Sequence, residues 1–427
     1  MIRKLVYWDI RELVSPVTTQ TIKTTQTTME KLKSKIKTLA KTYHQEIIDI
    51  RRHLHAHPEL SYQEYETSKY VQSILDKIGV KYESGIADTG VVALIEGKNP
   101  SKKVIALRAD MDALPITEAN DISYKSTNEG VMHACGHDVH TSSLLGVSKM
   151  LTELKDEFEG TIKCIFQPAE EKAPGGASIM IKEGVLENPT PKSVIGQHVH
   201  PPLEAGKVGF RSGLAMASAD EIYLTVHGKG GHAAAPQFFI DPIIMTSHIL
   251  VALQQIVSRR ANPTIPSVLS FGKIASVGGV NNVIPNSVKI DGTFRTVDET
   301  WREEALQKIT KMATHLAEGM DGSCEVDIVR GYPCLYNNEP LTHRNIQAAI
   351  EYLGAENVVE IPLRMGAEDF AYYTQKADCC FYRLGIRNEA KGITSNLHTP
   401  TFNVDEQAIE TSIGLMTWLA LNELNAS

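Results

Sequence analysis

The chain has 427 residues, of which 22% are charged and 42% are hydrophobic, and its formal net charge is −8. This composition is typical of a globular protein of two or three domains and argues against extensive disorder. The sequence has no basic stripe interleaved with aromatic residues, which argues against a nucleic-acid partner. No apolar run reaches the ~18 residues that a membrane helix requires, so no membrane partner is expected.

The beginning of the chain, residues 1–30, is rich in Thr and Gln and is predicted to form a poorly ordered leader. Asp9, Arg11 and Glu12 interrupt its apolar stretch before a signal-peptide core can form. The six cysteines show no repeated spacing, which favours unpaired thiols in a reducing compartment. We therefore expect a cytoplasmic protein.

The next part of the chain has the pattern of an α/β domain. A helix is predicted over 31–54, and Pro58 ends or redirects it. The runs VVALIEG and KVIALRAD are typical of strands covered on both faces. The alternation in TIKCIFQ, which then meets Pro168, indicates another strand.

Polar side chains follow these predicted strands. TIKCIFQPAEE delivers Glu170 and Glu171 at the end of a strand, and SVIGQHVHPP places His198 at the end of another. HACGHDVH precedes a helical pattern, which places Cys135 and His137 on a loop just before that helix. Ligand groups gather at the carboxyl ends of strands in sheets of this kind, so these side chains are candidates for a site.

A smaller module interrupts this domain. Strands are predicted for EIYLTVHG, SVLSFGKIAS, SVKIDGTFRT and CEVDIVRGY, with helices over 241–258 and 298–319. The order β-α-β-β-α-β is that of a ferredoxin-like module. We therefore predict a two-domain α/β protein whose larger domain, with a mixed sheet flanked by helices, comprises 31–217 and 333–427, and whose inserted module spans 218–332.

The cysteine motif and the glutamate pair each allow two interpretations. A thiolate and an imidazole at Cys135 and His137 suit Zn²⁺ or another divalent first-row metal, although a buried cysteine beside a hydrogen-bonded histidine is the more common arrangement. Glu170 and Glu171 can divide the roles of metal ligand and general base, or they can form a solvated acidic pair. The buried strand that leads into the pair weakens the second interpretation.

Further candidates are individually weaker. His198 and His398 are each isolated, and a lone histidine is more often a surface or core residue than a ligand. Asp110 and Asp112 directly follow an apolar strand, where a carboxylate could orient a ligand imidazole or could cap a turn.

Residues of the inserted module could contact a substrate. His232, in GGHAAAP, could donate to a developing oxyanion, or it could lie exposed at a glycine-rich bend. The amides of GGVNNVIPN, Asn282 among them, and the guanidinium of Arg295 suit a substrate carboxylate, although such arginine contacts also hold modules together.

Nine motifs occur in order over roughly residues 40–420: RRHLHAHPELSYQE, RADMDALP, HACGHDVH, QPAEE, GQHVHP, GGHAAAP, NVIPN, GAEDFAYY and LHTPTFNVDE. Together they closely resemble the amidohydrolase branch of the co-catalytic metallopeptidases. That branch includes hippurate hydrolases, N-acyl-amino-acid amidohydrolases, N-acetyl-diaminopimelate deacetylases and auxin-conjugate hydrolases. The resemblance implies a hydrolase that cleaves the amide bond of N-acyl amino acids.

The resemblance also implies a set of site residues. Two divalent ions, of Zn²⁺, Mn²⁺, Co²⁺ or Ni²⁺, would be held by Cys135, His137, Glu171, His198 and His398. Glu170 would be the general base, and Asn282 and Arg295 would bind substrate. The inserted module would be a lid and dimerisation domain of a homodimer or higher homo-oligomer, and His232 would serve the active site of the partner subunit.

Three alternatives remain at this point. A dipeptidase or metallocarboxypeptidase could share the same scaffold. A thiol hydrolase could use Cys135 as its nucleophile, with His137 or His140 as the base. A non-catalytic binding protein could keep the metal ligands, although it would not need Glu170.

Overall fold

The structure, a computed structural model, describes residues 16–426. Residues 1–15 of the predicted leader lie outside the described residues. Helix α1 (Pro16–Ala56) begins earlier than the predicted start at residue 31 and ends just before Pro58, because proline cannot continue a helix. Among residues 16–426, no helix is both long enough and apolar enough to cross a membrane.

The remaining helices are α2 (Tyr65–Ile78), α3 (His137–Glu153), α4 (Gly176–Lys182), α5 (Pro242–Gln255), α6 (Glu299–Glu318), α7 (Glu339–Leu353), α8 (Ala371–Thr374) and α9 (Gln407–Asn425). The strands are β1 (Lys81–Ile86), β2 (Gly90–Glu96), β3 (Val104–Asp110), β4 (Thr161–Gln167), β5 (Ser193–Glu204), β6 (Val208–Phe210), β7 (Gly213–Met216), β8 (Asp220–His227), β9 (Gly231–His232), β10 (Ser267–Val277), β11 (Val283–Ile284), β12 (Ser287–Thr296), β13 (Ser323–Arg330), β14 (Leu335–Asn337), β15 (Val358–Glu360) and β16 (Asp378–Arg387).

The larger sheet has eight strands in the order β1-β2-β4-β3-β5-β16-β6-β15, with parallel and antiparallel neighbours. Its central strands β3 and β4 are almost entirely buried, as the continuous apolar runs predict. Helices α1, α3 and α9 pack together over one core, to which Ile47, Leu145 and Trp418 contribute. A second core, around Ile165 and Phe381, lies beneath α4 and α8. The mixed α/β fold class is confirmed.

The inserted module has a separate four-stranded antiparallel sheet, in the order β10-β12-β8-β13. Helices α5 and α6 cover it around a core that includes Leu224, Ile249 and Phe294. Chain order and sheet order together are those of the predicted ferredoxin-like module. Helix α5 gives way to a π-helical turn at Ile256–Arg260, within the range predicted as one continuous helix. The exact domain boundaries stay a prediction.

Candidate metal centre

The HACGHDVH motif forms a tight turn into helix α3. Gly136 has φ of 82°, and a Cβ there would approach Val199 Cγ2 to 2.5 Å, so glycine is required on both counts. Cys135 lies on the loop, buried, as predicted. His137 does not: it is the first residue of α3, because the helix begins directly after the glycine.

The other candidate ligands come from two further strands and a turn. Glu170 and Glu171 follow β4 after Pro168, as predicted. His198 lies in the middle of β5 rather than at its end, because the strand continues to Glu204 by pairing with β16. Its pairing with β3 stops at Gly196, so His198 still lies beyond the edge of that neighbour. The amide of His398 donates to the carbonyl of Ala134 at 2.9 Å, which fixes its turn beside the cysteine loop.

The five candidate ligands meet in one place. Cys135 Sγ lies 3.4 Å from His198 Nε2 and 3.4 Å from His398 Nε2. Glu171 Oε1 lies 3.2 Å from His398 Nε2 and 3.9 Å from His137 Nε2. These separations are close to the roughly 3.3–3.7 Å expected between donor atoms that share one tetrahedral cation.

The donors form two groups with cation-binding spacing: Cys135, His137 and His198, and Cys135, Glu171 and His398. Because the cysteine belongs to both groups, the arrangement is suited to two neighbouring cations rather than one. Thiolate, imidazole and carboxylate together suit divalent first-row metals.

The histidine rings are oriented for metal binding by hydrogen bonds on their other nitrogens. His137 Nδ1 lies 2.9 Å from the carbonyl of Asp112, and His198 Nδ1 lies 2.7 Å from the carbonyl of Val199. A carbonyl only accepts, so each Nδ1 donates, and in the neutral ring each Nε2 keeps a lone pair for a cation. His137 Nε2 is buried and has no hydrogen-bond partner among the described residues. A buried ring nitrogen without a hydrogen-bond partner suits a metal ligand, because a bound cation would satisfy it.

Two aspartates and an arginine hold this arrangement. Asp112 Oδ1 lies 3.1 Å from His137 Nδ1, and its Oδ2 accepts the amide of Glu171 at 2.9 Å. Asp110 accepts from the imidazole of His140 at 2.5 Å and from the guanidinium of Arg108 at 2.5 Å. Asp112 therefore orients two candidate ligands by hydrogen bonds, whereas Asp110 contributes negative charge beside the cluster, with Oδ2 3.8 Å from His137 Nε2.

His140 is fully engaged and has no role as a base for a cysteine nucleophile. Its Nδ1 pairs with Asp110, and its Nε2 accepts the amide of Val199 at 2.9 Å. Burial, reinforced by the carboxylates of Glu171 and Glu170, raises the pKa of the Cys135 thiol well above its ordinary value. A thiol in such a carboxylate-rich pocket ionises only beside a strong positive charge, which favours the ligand interpretation over the nucleophile one.

The cluster carries an excess of negative groups. Burial alone would lower the pKa of His137, but the carboxylates of Asp110 and Asp112 raise it to about 10. Burial, together with the carboxylates of Glu368 and Glu171, raises the pKa of Glu170 well above its ordinary value. Both pKa values therefore rise, and neighbouring carboxylates contribute to each rise; bound cations would neutralise this local surplus of negative charge.

Glu170 lies at the rim of the cluster, with Oε2 3.8 Å from His137 Nε2. It lines both a cleft of about 700 Å³, beside the inserted module, and an adjoining cavity of about 310 Å³ at the cluster. A ligand that enters the cluster from either cavity would therefore meet Glu170.

The predicted substrate-binding residues are not all near the cluster. Arg295 lines the larger cleft together with Glu170 and His398, and its Nη1 donates to the carbonyl of Met365 at 3.2 Å. His232 is exposed on β9, and Asn282 accepts from the amide of Ala233 through its carbonyl. Among the described residues, neither His232 nor Asn282 lines either of these two cavities.

Sequence reasoning missed several residues around the cluster. Glu368 and Asp369, in the motif GAEDF, are buried, and Asp369 pairs with Arg108 at 2.7 Å. Arg364 and Arg383 line the smaller cavity. A charged residue inside an apolar strand, as in CCFYRLGI, was the available signal for Arg383.

The profile of peptidase family M20/M25/M40 matches residues 106–422, which include all five candidate ligands. The chain belongs to this family. The family members cleave amide bonds, so the protein is a hydrolase of amidohydrolase type.

Individual relatives cover nearly the whole chain. The Arabidopsis thaliana IAA-amino acid hydrolase ILR1-like 5 is 40% identical over 88% of this chain and 86% of its own. Thermostable carboxypeptidase 2 of Saccharolobus solfataricus is 40% identical over 90% of this chain and 95% of its own. The crystal structure of the Bacillus subtilis YXEP protein, a dinuclear metal binding peptidase from the M20 family, matches with a TM-score of 0.78 and 33% identity, over 91% of this chain and 100% of that one.

Proposed function

We propose that the protein hydrolyses N-acyl amino acids to a carboxylic acid and a free amino acid at a centre of two divalent metal ions. The observation that carries this proposal is the convergence of Cys135, His137, Glu171, His198 and His398 beside Glu170, whose carboxylate faces the adjoining cavities. A metal site that served only structure would not need that additional carboxylate.

The chemistry that divalent cations supply at such a centre is polarisation of the scissile carbonyl and a water whose pKa is lowered toward neutrality. Glu170 takes the proton of the attacking water and returns it to the nitrogen of the leaving amine. Glu171, the adjacent residue, binds metal. Its backbone amide donates to Asp112 at 2.9 Å, which fixes the chain at the glutamate pair.

Residues of the inserted module hold the substrate. Arg295, in the wall of the larger cleft, binds the α-carboxylate of the amino acid, and Asn282 assists when the module closes over the site. His232 donates to the oxyanion from the partner subunit, because in its own chain it lines neither cavity at the cluster.

Features of the module support a homodimer. Strand β10 lies at the edge of its sheet and exposes Ile274 and Val277. An exposed, apolar edge strand is a template for pairing with a second copy of the chain. All six cysteines are unpaired and buried, which supports the expected reducing, cytoplasmic location.

A panel of substrates and metals tests the proposal. Hippurate, N-acetyl amino acids and dipeptides are assayed side by side with Zn²⁺, Mn²⁺, Co²⁺ and Ni²⁺, before and after chelation. We expect hydrolysis of N-acyl amino acids that chelation abolishes and one of the metals restores. Activity that survives chelation would instead identify a thiol hydrolase.

The second candidate function is that of a dipeptidase or metallocarboxypeptidase, favoured by the 40% identity to thermostable carboxypeptidase 2. Metal-dependent cleavage of dipeptides, with N-acyl amino acids left intact, would establish it in place of the first.

A further inference from the structure

A buried arginine needs an oppositely charged partner, and one buried arginine of this protein makes no ion pair within the described residues. The buried arginines are Arg51, Arg108, Arg302 and Arg383. The first three pair with Asp138, Asp110 and Asp220 at 2.7, 2.5 and 2.6 Å. Arg383 is 3% exposed and makes no ion pair within the described part of the chain. Burying an unpaired charge is costly, so this arginine calls for an explanation.

The contacts of Arg383 are weak ones. Its Nη2 lies 2.8 Å from the sulfur of Met216, and its guanidinium carbon lies 4.9 Å from the ring centre of Phe381. A thioether is a weak acceptor, and an aromatic face offsets only part of the desolvation of a cation. Most of its donors therefore remain available for a ligand.

A second arginine, Arg364, lies on the same cavity. It is half-buried, its Nη1 lies 2.9 Å from His200 Nδ1, and it also makes no ion pair with the side chains of residues 29–426. Its backbone is fixed to β7 and the residue after it, through Ala215 and Ala217 at 3.1 and 3.0 Å. Burial, and then the charge of Arg364, lower the pKa of Arg383 to about 10, so the two cations are close enough to repel.

The nearby carboxylate of Glu368 does not neutralise the pair. It also lines the cavity, but its Oε1 lies 3.1 Å from Arg108 Nη2 and accepts the amide of Phe370 at 3.0 Å. Neither guanidinium therefore has an ion-pair partner among the described side chains, and both lie in a cavity of about 310 Å³ that Cys135 and His198 also line.

The position of the smaller cavity indicates which part of an N-acyl amino acid it would hold. It shares Glu170, Glu171 and His398 with the larger cleft, so the scissile amide lies where the two meet. Arg295 lines the larger cleft and not the smaller cavity, so its proposed binding of the α-carboxylate places the amino acid in the larger cleft. The smaller cavity is therefore left for the acyl group.

We propose that Arg364 and Arg383 bind a carboxylate at the far end of the acyl group. The preferred substrates are then N-acyl amino acids whose acyl part is a short dicarboxylic acid, such as a succinyl or glutaryl group. Guanidinium groups match a carboxylate geometrically as well as in charge. This inference rests on the proposed function, since it takes the amide to be cleaved at the ligand cluster.

Matched substrates test the inference. An N-succinyl amino acid is compared with the N-(4-methylpentanoyl) derivative of the same amino acid, in which an isopropyl group replaces the carboxylate at equal shape. We expect kcat/KM for the wild-type protein to favour the succinyl substrate by about 100-fold or more, because a site built for a polar group rejects its apolar analogue. Arg364→Met and Arg383→Met should each reduce this ratio by about tenfold or more.

Arg211→Met is the matched control, since within the described part of the chain its guanidinium bonds only to the backbone carbonyls of Leu214 and Ile361. It should leave the ratio unchanged. If Arg383→Met does not fold, Arg364→Met, at a half-buried position, still decides the question. Equal use of both substrates by the wild type would overturn the inference. An equal loss on both substrates in the variants would also overturn it, by assigning the pair to the α-carboxylate. Failure of the metal-loaded protein to cleave any N-acyl amino acid would instead overturn the proposed function.

Discussion

Replacing Arg383 by methionine should stabilise the protein, although the change removes a buried side chain's charge and hydrogen bond. The pKa of this guanidinium is lowered to about 10 from its ordinary 12.5. One pKa unit corresponds to ~1.4 kcal/mol, so folding the charged form costs about 3 kcal/mol at any pH below the lowered value. Methionine keeps an unbranched apolar stem, but it loses the contact of the guanidinium with the ring of Phe381, and this lost packing offsets part of the gain. We expect a net increase of about 1–2 kcal/mol.

The assay is urea or thermal denaturation of the metal-free protein at pH 7.5, so that no bound cation contributes. Arg51→Met is the matched control, because Arg51 is also fully buried but pairs with Asp138 at 2.7 Å. Removing one partner of such a pair leaves a buried charge uncompensated and should cost about 3–5 kcal/mol. The two variants should therefore shift the midpoint in opposite directions. Comparable destabilisation by both would refute the view that Arg383 lacks a partner in the folded chain.

Four further predictions concern the cluster and its surroundings. Cys135→Ala should lose bound metal by elemental analysis; retention of two equivalents per chain would remove Cys135 from the ligand set. Asp112→Ala should weaken metal affinity about 10–100-fold in a competition titration with a chelator, because it orients His137 and Glu171, and unchanged affinity would contradict that role. Mixing a Glu170 variant with a His232 variant should restore some activity through hybrid dimers, and failure despite proven subunit exchange would count against a histidine donated by the partner. Burial and then the charge of Asp112 raise the pKa of Glu64 to about 7 from 4.5, so ionisation of Glu64 destabilises the folded protein as the pH rises through this window. Glu64→Gln should therefore raise the melting temperature more at pH 8 than at pH 5. An equal rise at both pH values would exclude a destabilising ionisation of Glu64.

The sequence motifs predicted the members of the cluster better than their positions on the fold. Cys135, Glu170 and Glu171 lie where the strand and loop patterns place them. His198 does not lie at a strand end, because β5 is extended by pairing with β16, which arrives from almost two hundred residues further along the chain. No local pattern around His198 contains that information.

Arg364 and Arg383 show a second limit of what the sequence alone can predict. A charged residue within CCFYRLGI is visible in the sequence, but its meaning depends on which groups surround it after folding. The parallel register of β5 and β16 sets Arg383 opposite His198. A β-bridge between Met216, the last residue of β7, and Arg364 brings the second arginine to the same cavity. The same pattern in β3, where Arg108 meets Asp110 and Asp369, describes an arginine with full partners. Only the tertiary contacts distinguish a structural arginine from one that is free to bind a ligand.

Contacts between subunits are a third kind of information that one chain does not contain. His232 and Asn282 lie together on the module's small sheet, β9 with β11, and the amide of Ala233 links them. Their predicted roles depend on closure of the module or on a second copy of the chain, and these roles stay predictions.

Glu170 is the proposed general base beside a centre of two metal ions. The most direct test of this role is to measure both metal content and turnover in Glu170→Gln. The amide keeps the size of the side chain but cannot take a proton from water. We predict that the variant binds as much metal as the wild type by elemental analysis and loses about 100–10,000-fold in turnover of its best N-acyl amino acid. Turnover close to that of the wild type, with the metal retained, would contradict the assignment of Glu170 as the base.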